Sequence, residues 1–264
     1  MRLIYRALFK QLMQSAARSH RLAGRPALAG YAFDHITLKM HIDGRFAYRE
    51  LDALEHQLFP KLAADTVCLD IGANIGNHAV NFADHFHHVH AFEPNRKALD
   101  LLEINARLRP NITVHSVGLS DHRHTLSAVQ PEGNLGGTGA SASGSASDQR
   151  VELPLVPLDG VDLALGGRAI SFVKIDVEGF EAEVIRGAAQ TLTTHRPVIG
   201  MEVDRRSVNG GSSPALAAAL ELGYTHMYAM RRGGRARFRA VSNAVERNYP
   251  MLLLSTVPLE FEER

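Results

Sequence analysis

Two short stretches hold the residues best suited to chemistry. The first, KIDVEGFE over residues 174–181, sets Lys174, Asp176, Glu178 and Glu181 around Gly179, directly after the apolar run Ala169 to Val173. A buried strand should not end in so much charge unless those groups are solvated or line a site. The second, LDIGANIGNHAV over residues 69–80, brackets a tight turn with Gly72 and Gly76. A strand ends there at Asp70 and Ile71, and a helix begins near Asn77. Glycine allows a turn at positive φ and a close ligand approach, and a helix start presents unpaired N–H groups.

A strand, a glycine loop and a helix in this order suit a nucleotide-type cofactor. The spacing here is G-x-x-x-G, with Asn74 inside it. It matches neither the dinucleotide G-x-G-x-x-G nor the phosphate loop G-x-x-x-x-G-K-[ST]. A carboxylate at Asp70 would repel a pyrophosphate but accepts a bond from an ammonium or a water. That fits S-adenosylmethionine, with Gly72, Ala73, Asn74, Gly76 and Asn77 as its cradle. Glu93, in AFEP with Pro94, ends the second strand, where an acid can accept both ribose hydroxyls. Its plainer role is a charge at a helix start. The third strand reads as ending in VGLSD, where Ser120 or Asp121 meets an adenine amino group or makes a turn.

These segments, LDIGANIG, AFEP, VGLSD and KIDVEGFE, with IRGA at 185–188 and RPVIGMEVD after it, resemble in order and spacing the FkbM family of S-adenosylmethionine-dependent methyltransferases. The resemblance covers residues 66–204. It implies an α/β class I methyltransferase (Rossmann-like) fold with a mostly parallel seven-stranded sheet, an antiparallel C-terminal strand and helices on both faces. It also implies methylation of a hydroxyl on a sugar, glycan or polyketide-like metabolite.

Methyl transfer to an alcohol needs an aligned acceptor and a place for its proton. In an open α/β sheet, ligands bind at the carboxyl ends of the strands. Asp176 and Glu178 lie at such an end, on the fourth strand, beside the first. They are the expected general bases, and Asp176 also borders the cofactor. Alternation puts Phe172, Lys174 and Asp176 on one side of that strand. Lys174 must reach solvent or a carboxylate, for which Glu202 is a candidate, and either balances the acids or touches substrate. Glu181 belongs to the first turn of the next helix. Asp176 and Glu178 could hold Mg²⁺ with waters, but no third ligand is evident and no metal is expected. His85, His87, His88 and His90 read as a solvated helix end and strand edge rather than a zinc site.

From Thr66 onward strands alternate with helices, which implies βαβ units and a mostly parallel sheet covered on both faces. Helices are expected over 181–193 and 214–222, with a final strand at 251–256. Residues 1–45 read as a helical extension ahead of a methyltransferase domain over 46–264, which a second amphipathic helix at 47–63 introduces. In the extension Leu3, Ile4, Ala7, Leu8, Leu12 and Ala16 have helical spacing. That stripe reads as a helix packed on the domain or on a second subunit, with a peripheral membrane-surface helix as the alternative. Residues 131–148, rich in Gly, Ser and Ala, read as a mobile connector or a substrate-covering loop. Gly233-Gly234 sits between alternating segments carrying Arg231, Arg232, Arg235, Arg237 and Arg239, a hairpin signal. Those arginines either guard a sheet edge or grip an anionic acceptor such as a lipid-linked glycan.

The formal net charge of +1 over 264 residues supplies no global field for nucleic acid or membrane, so such a partner would need a local patch, and the family resemblance implies a small-molecule or glycan acceptor. Methylation of nucleic acid or protein through the arginine hairpin is the rival reading. The lone Cys68 excludes an internal disulfide. No apolar run approaches the roughly 20 residues that span a bilayer. The basic N-terminus lacks a secretory apolar region, and a cytoplasmic protein is expected.

Overall fold

The computed structural model describes residues 2–32, 34–130, 149–203, 213–231, 236–242 and 249–261. The Gly/Ser/Ala-rich loop at 131–148 lies outside them, as do Gly233-Gly234, Arg232, Arg235 and the side chain of Arg231.

Two helices come first, α1 (Arg2–Leu22) and α2 (His35–Asp43). α2 starts where Asp34 accepts a bond from the N–H of Ile36 and stops at Gly44 in the left-handed conformation. α3 (Tyr48–Ala53) runs on through a π turn, Leu54–Leu58, and a 3-10 turn, Phe59–Lys61. Together they realise the helix expected at 47–63. The βαβ series then runs β1 (Val67–Ile71), α4 (Asn77–Phe82), β2 (His88–Phe92), α5 (Arg96–Ala106) and β3 (Ile112–His115). Three strands leave the main sheet: β4 (Gly118–Leu119), β5 (His124–Gln130) and β6 (Gln149–Val156). The chain returns with β7 (Ile170–Ile175), α6 (Glu181–Gly187), α7 (Ala189–His195), β8 (Val198–Val203) and α8 (Pro214–Glu221). It closes with β9 (His226–Arg231), β10 (Arg237–Ala240) and β11 (Tyr249–Ser255).

The main sheet has the order β10-β9-β11-β8-β7-β1-β2-β3. The strands from β8 to β3 pair in parallel, and β11 inserts antiparallel between β8 and β9. Eight strands replace the expected seven, because the C-terminal hairpin adds β10 outside β9. β10 buries Phe238 and leaves Arg239 exposed and Arg237 half-buried, so the arginines do share one face of an edge strand. The sheet faces separate two cores. Val173, Ile175 and Leu69 join Ile185, Leu192 and Leu216 on the side of α6, α7 and α8. Cys68 and Phe172 join Phe59, Phe82 and Leu102 on the side of α4, α5 and the 48–61 helix. The strand alternation expected for residues 172–175 holds.

Four further expectations change. The single helix expected from Glu181 to Thr193 is broken at Ala188. The cause is Asp159, whose carboxylate accepts from the N–H groups of Gln190 and Thr191 at 2.8 and 2.9 Å and so starts α7 afresh. The third strand ends at His115, and Gly118–Leu119 pairs with β6 in a separate sheet. His90 is buried rather than solvated, because β2 lies inside the sheet, and its ring contacts His115 at 2.9 Å. Burial, followed by the charge of His115, lowers the His90 pKa to about 4. Finally, the apolar stripe of α1 divides: Ala7, Leu8 and Leu12 are exposed, while Ala16 is half-buried.

Gly187, in the IRGA segment, fixes how α6 meets the second sheet. A Cβ there would fall on the carbonyl oxygen of Ser120, and backbone has little freedom to retreat. Helix propensity alone would favour alanine by about 0.5–1 kcal/mol. The clash should outweigh it, so Gly187→Ala is expected to destabilise the fold by roughly 1–3 kcal/mol in urea denaturation. An unchanged or higher midpoint would show that the contact can relax.

Candidate functional site

Beyond the carboxyl ends of β1, β2, β7 and β8 lies a cavity of about 580 Å³. Ile71 to Ile75, Glu93 to Asn95 and Lys174 to Glu178 form its floor. β1 and β7 are neighbours there, at the point where strand order reverses and α/β sheets bind ligands.

The glycine loop is held by its surroundings. Gly72 has φ +78°, and a Cβ on it would fall on the carbonyl oxygen of Asp176. Glycine is therefore what lets the loop after β1 touch the loop after β7. The N–H groups of Gly72 and Ala73 both donate to the carbonyl of Phe92, at 3.0 and 2.9 Å. Asn74 N–H donates to Glu93 Oε2 at 2.9 Å, and Gly76 N–H to the carbonyl of Ala73 at 2.8 Å. The unpaired N–H groups expected in this loop are thus already spent at these four positions. Asn74 itself is left-handed, with φ 50°, and its side-chain oxygen is buried without a hydrogen-bond partner.

Glu93 faces the cavity and holds the loop together. Its two oxygens accept from the N–H groups of Asn74 and, at 2.7 Å, Asn95. Burial raises its pKa to about 7 despite those donors. Pro94 follows it in the wall.

Lys174 sits at the cavity wall with a side chain only 3% exposed. Its ammonium donates to Asp176 Oδ2 at 3.1 Å and lies 3.5 Å from Asp70 Oδ1. Burial opposes the charge, but the pull of Asp176 and Asp70 wins and carries the lysine above its ordinary range. Asp70 and Lys174 are register partners in the β1–β7 ladder. Asp70 is 0% exposed and does not line the cavity, and burial pushes its pKa up. The acid expected to meet the cofactor therefore lies beneath the loop and meets the lysine instead. Glu202, the candidate partner of Lys174, also lines the cavity.

Asp176 is partly exposed and Glu178 exposed, and both face the cavity. Glu178 carries φ 53°, a strained conformation for a non-glycine residue, and Gly179 follows at φ 106°. Glu181 accepts from the N–H of Gly179 at 3.1 Å, as suits an acid at a helix start.

The remaining cradle residues divide. Ala73 and Gly76 belong to the loop, and Gly76 packs its α-carbon against Leu102. Asn77 lines the cavity, but its side-chain amide is committed elsewhere. It accepts from the N–H of Phe46 and donates to that residue's carbonyl, both at 3.1 Å. Ser120 and Asp121 do not line the cavity. Ser120 is buried and its N–H donates to the carbonyl of Val156, and Asp121 pairs with His122 at 2.6 Å and lies 3.8 Å from Arg186. Gly118 and Leu119 line the cavity in their place.

Sequence reasoning missed three parts of the wall. His78, on α4, is buried with Nε2 lacking a hydrogen-bond partner. Burial, then the charges of Lys174 and Arg45, hold its pKa well below normal and keep the ring neutral. The second sheet contributes Leu126, Leu153 and Leu155, and the α2–α3 segment contributes Ile36, Lys39, Tyr48 and Glu50. The alternation in VELPLV was a readable strand signal, whereas nothing in α2 announced which face would meet a cavity. Arg237 and Arg239 are not part of the wall. Asp52, Glu55 and His56 bring ligand atoms within 4.8 Å of one another, but the buried guanidinium of Arg45 binds both carboxylates. None of the described helices is long and apolar enough to cross a membrane.

No curated protein matches the chain. Among solved structures it is similar to the methyltransferase FkbM of Methylobacillus flagellatus KT, at 18% identity and a TM-score of 0.51, with 92% of this chain and 58% of that one covered. The chain therefore spans little more than half of that protein's length. Weaker likenesses include a precorrin-6y C5,15-methyltransferase of Geobacter metallireducens GS-15 (15% identity, TM-score 0.46, 81% and 88% covered) and an rRNA methylase of Streptococcus thermophilus (10% identity, TM-score 0.42, 78% and 91% covered). Residues 70–231, more than half of the chain, match the methyltransferase FkbM domain, and the protein belongs to that family.

Proposed function

We propose that the protein transfers a methyl group from S-adenosylmethionine to a hydroxyl of a sugar, glycan or related metabolite. The observation that carries this reading is one cavity lined both by Glu93 with the glycine loop and by the Lys174–Asp176 pair. About 580 Å³ lies within the range of ligand pockets. The buried, unpartnered oxygen of Asn74 and nitrogen of His78 are polar atoms in its wall that await a donor. These features fit a polar, ribose-bearing cofactor.

When bound, S-adenosylmethionine supplies an electrophilic methyl group on a sulfonium. The chain supplies the rest. Glu93, with lone pairs beyond its two backbone donors, accepts the ribose hydroxyls. Asp176 accepts the proton of the acceptor hydroxyl. Lys174 holds that carboxylate in place. The small sheet, α2 and α3 wall the cavity.

Calorimetry separates this from other readings. S-adenosylhomocysteine should bind and NAD should not, and the opposite pattern would overturn the proposal. In an assay of labelled methyl transfer to a panel of glycans and lipid-linked sugars, Asp176→Asn should lower kcat by roughly 10²–10⁴-fold. Its affinity for S-adenosylhomocysteine should stay within a few fold. Normal turnover would remove Asp176 from the mechanism. Transfer to RNA or protein alone would favour the rival acceptor class.

Glu93 gives a pH signature. Its carboxyl is protonated below about 7 in the free protein. Hydroxyl donors bind the ionised form, so affinity for S-adenosylhomocysteine should be greatest above that pH. It should fall by up to about tenfold per unit below it. Glu93→Gln should bind weakly at every pH and show no such dependence. A flat wild-type profile would deny Glu93 the ribose role.

A further inference from the structure

The N-terminal segment has a character that the cavity does not explain. Up to residue 48 the sequence carries eight Lys or Arg against two Asp, in a chain whose formal net charge is only +1, so the remainder is net acidic. α1 contains basic residues throughout and no acid. The same segment concentrates exposed apolar side chains. Among the described residues, every large exposed hydrophobic side chain except Ile104, Leu108 and Val257 falls within it.

The arrangement on α1 is ordered. Tyr5, Leu8, Phe9 and Leu12 follow i, i+3, i+4, i+7 spacing and are each more than half exposed. Arg6, Lys10 and Arg21 fall together on another sector of the helix, and all are exposed. Contact with the domain runs through a third set, Met13, Ala16 and His20, which are half-buried. His20 Nε2 lies 3.1 Å from the carbonyl of His41 on α2. The helix is thus anchored by its second half, and every side chain from Tyr5 to Leu12 is exposed. α2, in turn, presents Ile36 and Lys39 to the cavity while Leu38 and Ile42 stay exposed.

An apolar face alone would suit a second copy of the chain. The uniform positive charge does not, because two copies would bring like-charged helices together. A surface that is apolar within and anionic at its boundary satisfies both features at once. We propose that α1 docks in the plane of an anionic lipid surface, with Tyr5, Leu8, Phe9 and Leu12 entering the headgroup boundary and Arg6, Lys10 and Arg21 facing lipid phosphates. Because α1 rests on a helix that walls the cavity, docking sets the cavity beside the lipid surface. This inference does not depend on the reaction proposed above.

Co-sedimentation of the full chain with vesicles tests it without any methyl-transfer assay. Vesicles of phosphatidylcholine containing phosphatidylglycerol should bind the protein, and pure phosphatidylcholine vesicles should bind it far less. Added salt should weaken binding. Leu8→Asp with Phe9→Asp, and separately Arg6→Glu with Lys10→Glu, should each reduce partitioning roughly tenfold or more. All four positions are exposed, so circular dichroism and S-adenosylhomocysteine binding should be unchanged. Failure to bind anionic vesicles, or wild-type binding by both double variants, overturns the proposal. So does a dimer that Leu8→Asp with Phe9→Asp dissolves while vesicles stay unbound, or binding of tRNA without binding of vesicles.

Discussion

The architecture of the site turns on a single ammonium. Lys174 lies in the interior of a mostly parallel sheet, where an unpaired charge is costly, and Asp70 and Asp176 make it tolerable. Asp70 is its register partner on β1. A slip of one residue between β1 and β7 would turn the lysine to the other face and leave both charges unpaired. The ion pair therefore specifies the pairing at the place where the two halves of the fold meet. It also fixes where Asp176 points, since the same ammonium reaches from the buried carboxylate to the partly exposed one.

Around that pair the loops are set by contact rather than by the ligand. The loop after β1 takes its hydrogen bonds from Phe92 and Glu93, and Gly72 lets it lie against the backbone of Asp176. Three strand ends are thereby tied into one floor before anything binds. Such pre-organisation lowers the ordering cost of binding a polar ligand. Beyond Asp176 the backbone turns at positive φ, which costs strain at Glu178 but none at Gly179.

Much of this was legible from residue types and spacing. Continuous apolar strands, the G-x-x-x-G turn and the acids at strand ends each have a local physical cause, and the structure brings Gly72, Glu93, Lys174, Asp176 and Glu178 to one cavity. The misreadings share a different cause, which is that they depended on distant partners. Asp70 was read from its place at a strand tip, yet burial beneath the loop and a lysine on the next strand decide what it meets. Asn77 does line the cavity, yet its side-chain amide binds the backbone of Phe46, which no local signal announces. Ser120 was placed by assuming that the third strand continued past His115, whereas β6 pulls the chain into a second sheet. The break at Ala188 depends on Asp159, far away in sequence. Conversely, the alternation of Phe172 to Ile175 is a property of one strand, and it was read correctly.

The two asparagine clamps carry a consequence for how the cavity can open. Asn77 binds both backbone groups of Phe46, and the buried Asn105 binds the N–H and carbonyl of Ala29 together with the carbonyl of Ile75. Both tie the segment between α1 and α3 to the glycine loop and its helices, while few large side chains in that segment join the main cores. Stability in a folded chain is unevenly distributed, and regions held by few buried contacts open at a lower free energy than a central sheet. The segment that walls the cavity is tied to the rest by these amides and by the buried Arg45, so its opening would break polar contacts while no strand of the sheet gives up a hydrogen bond.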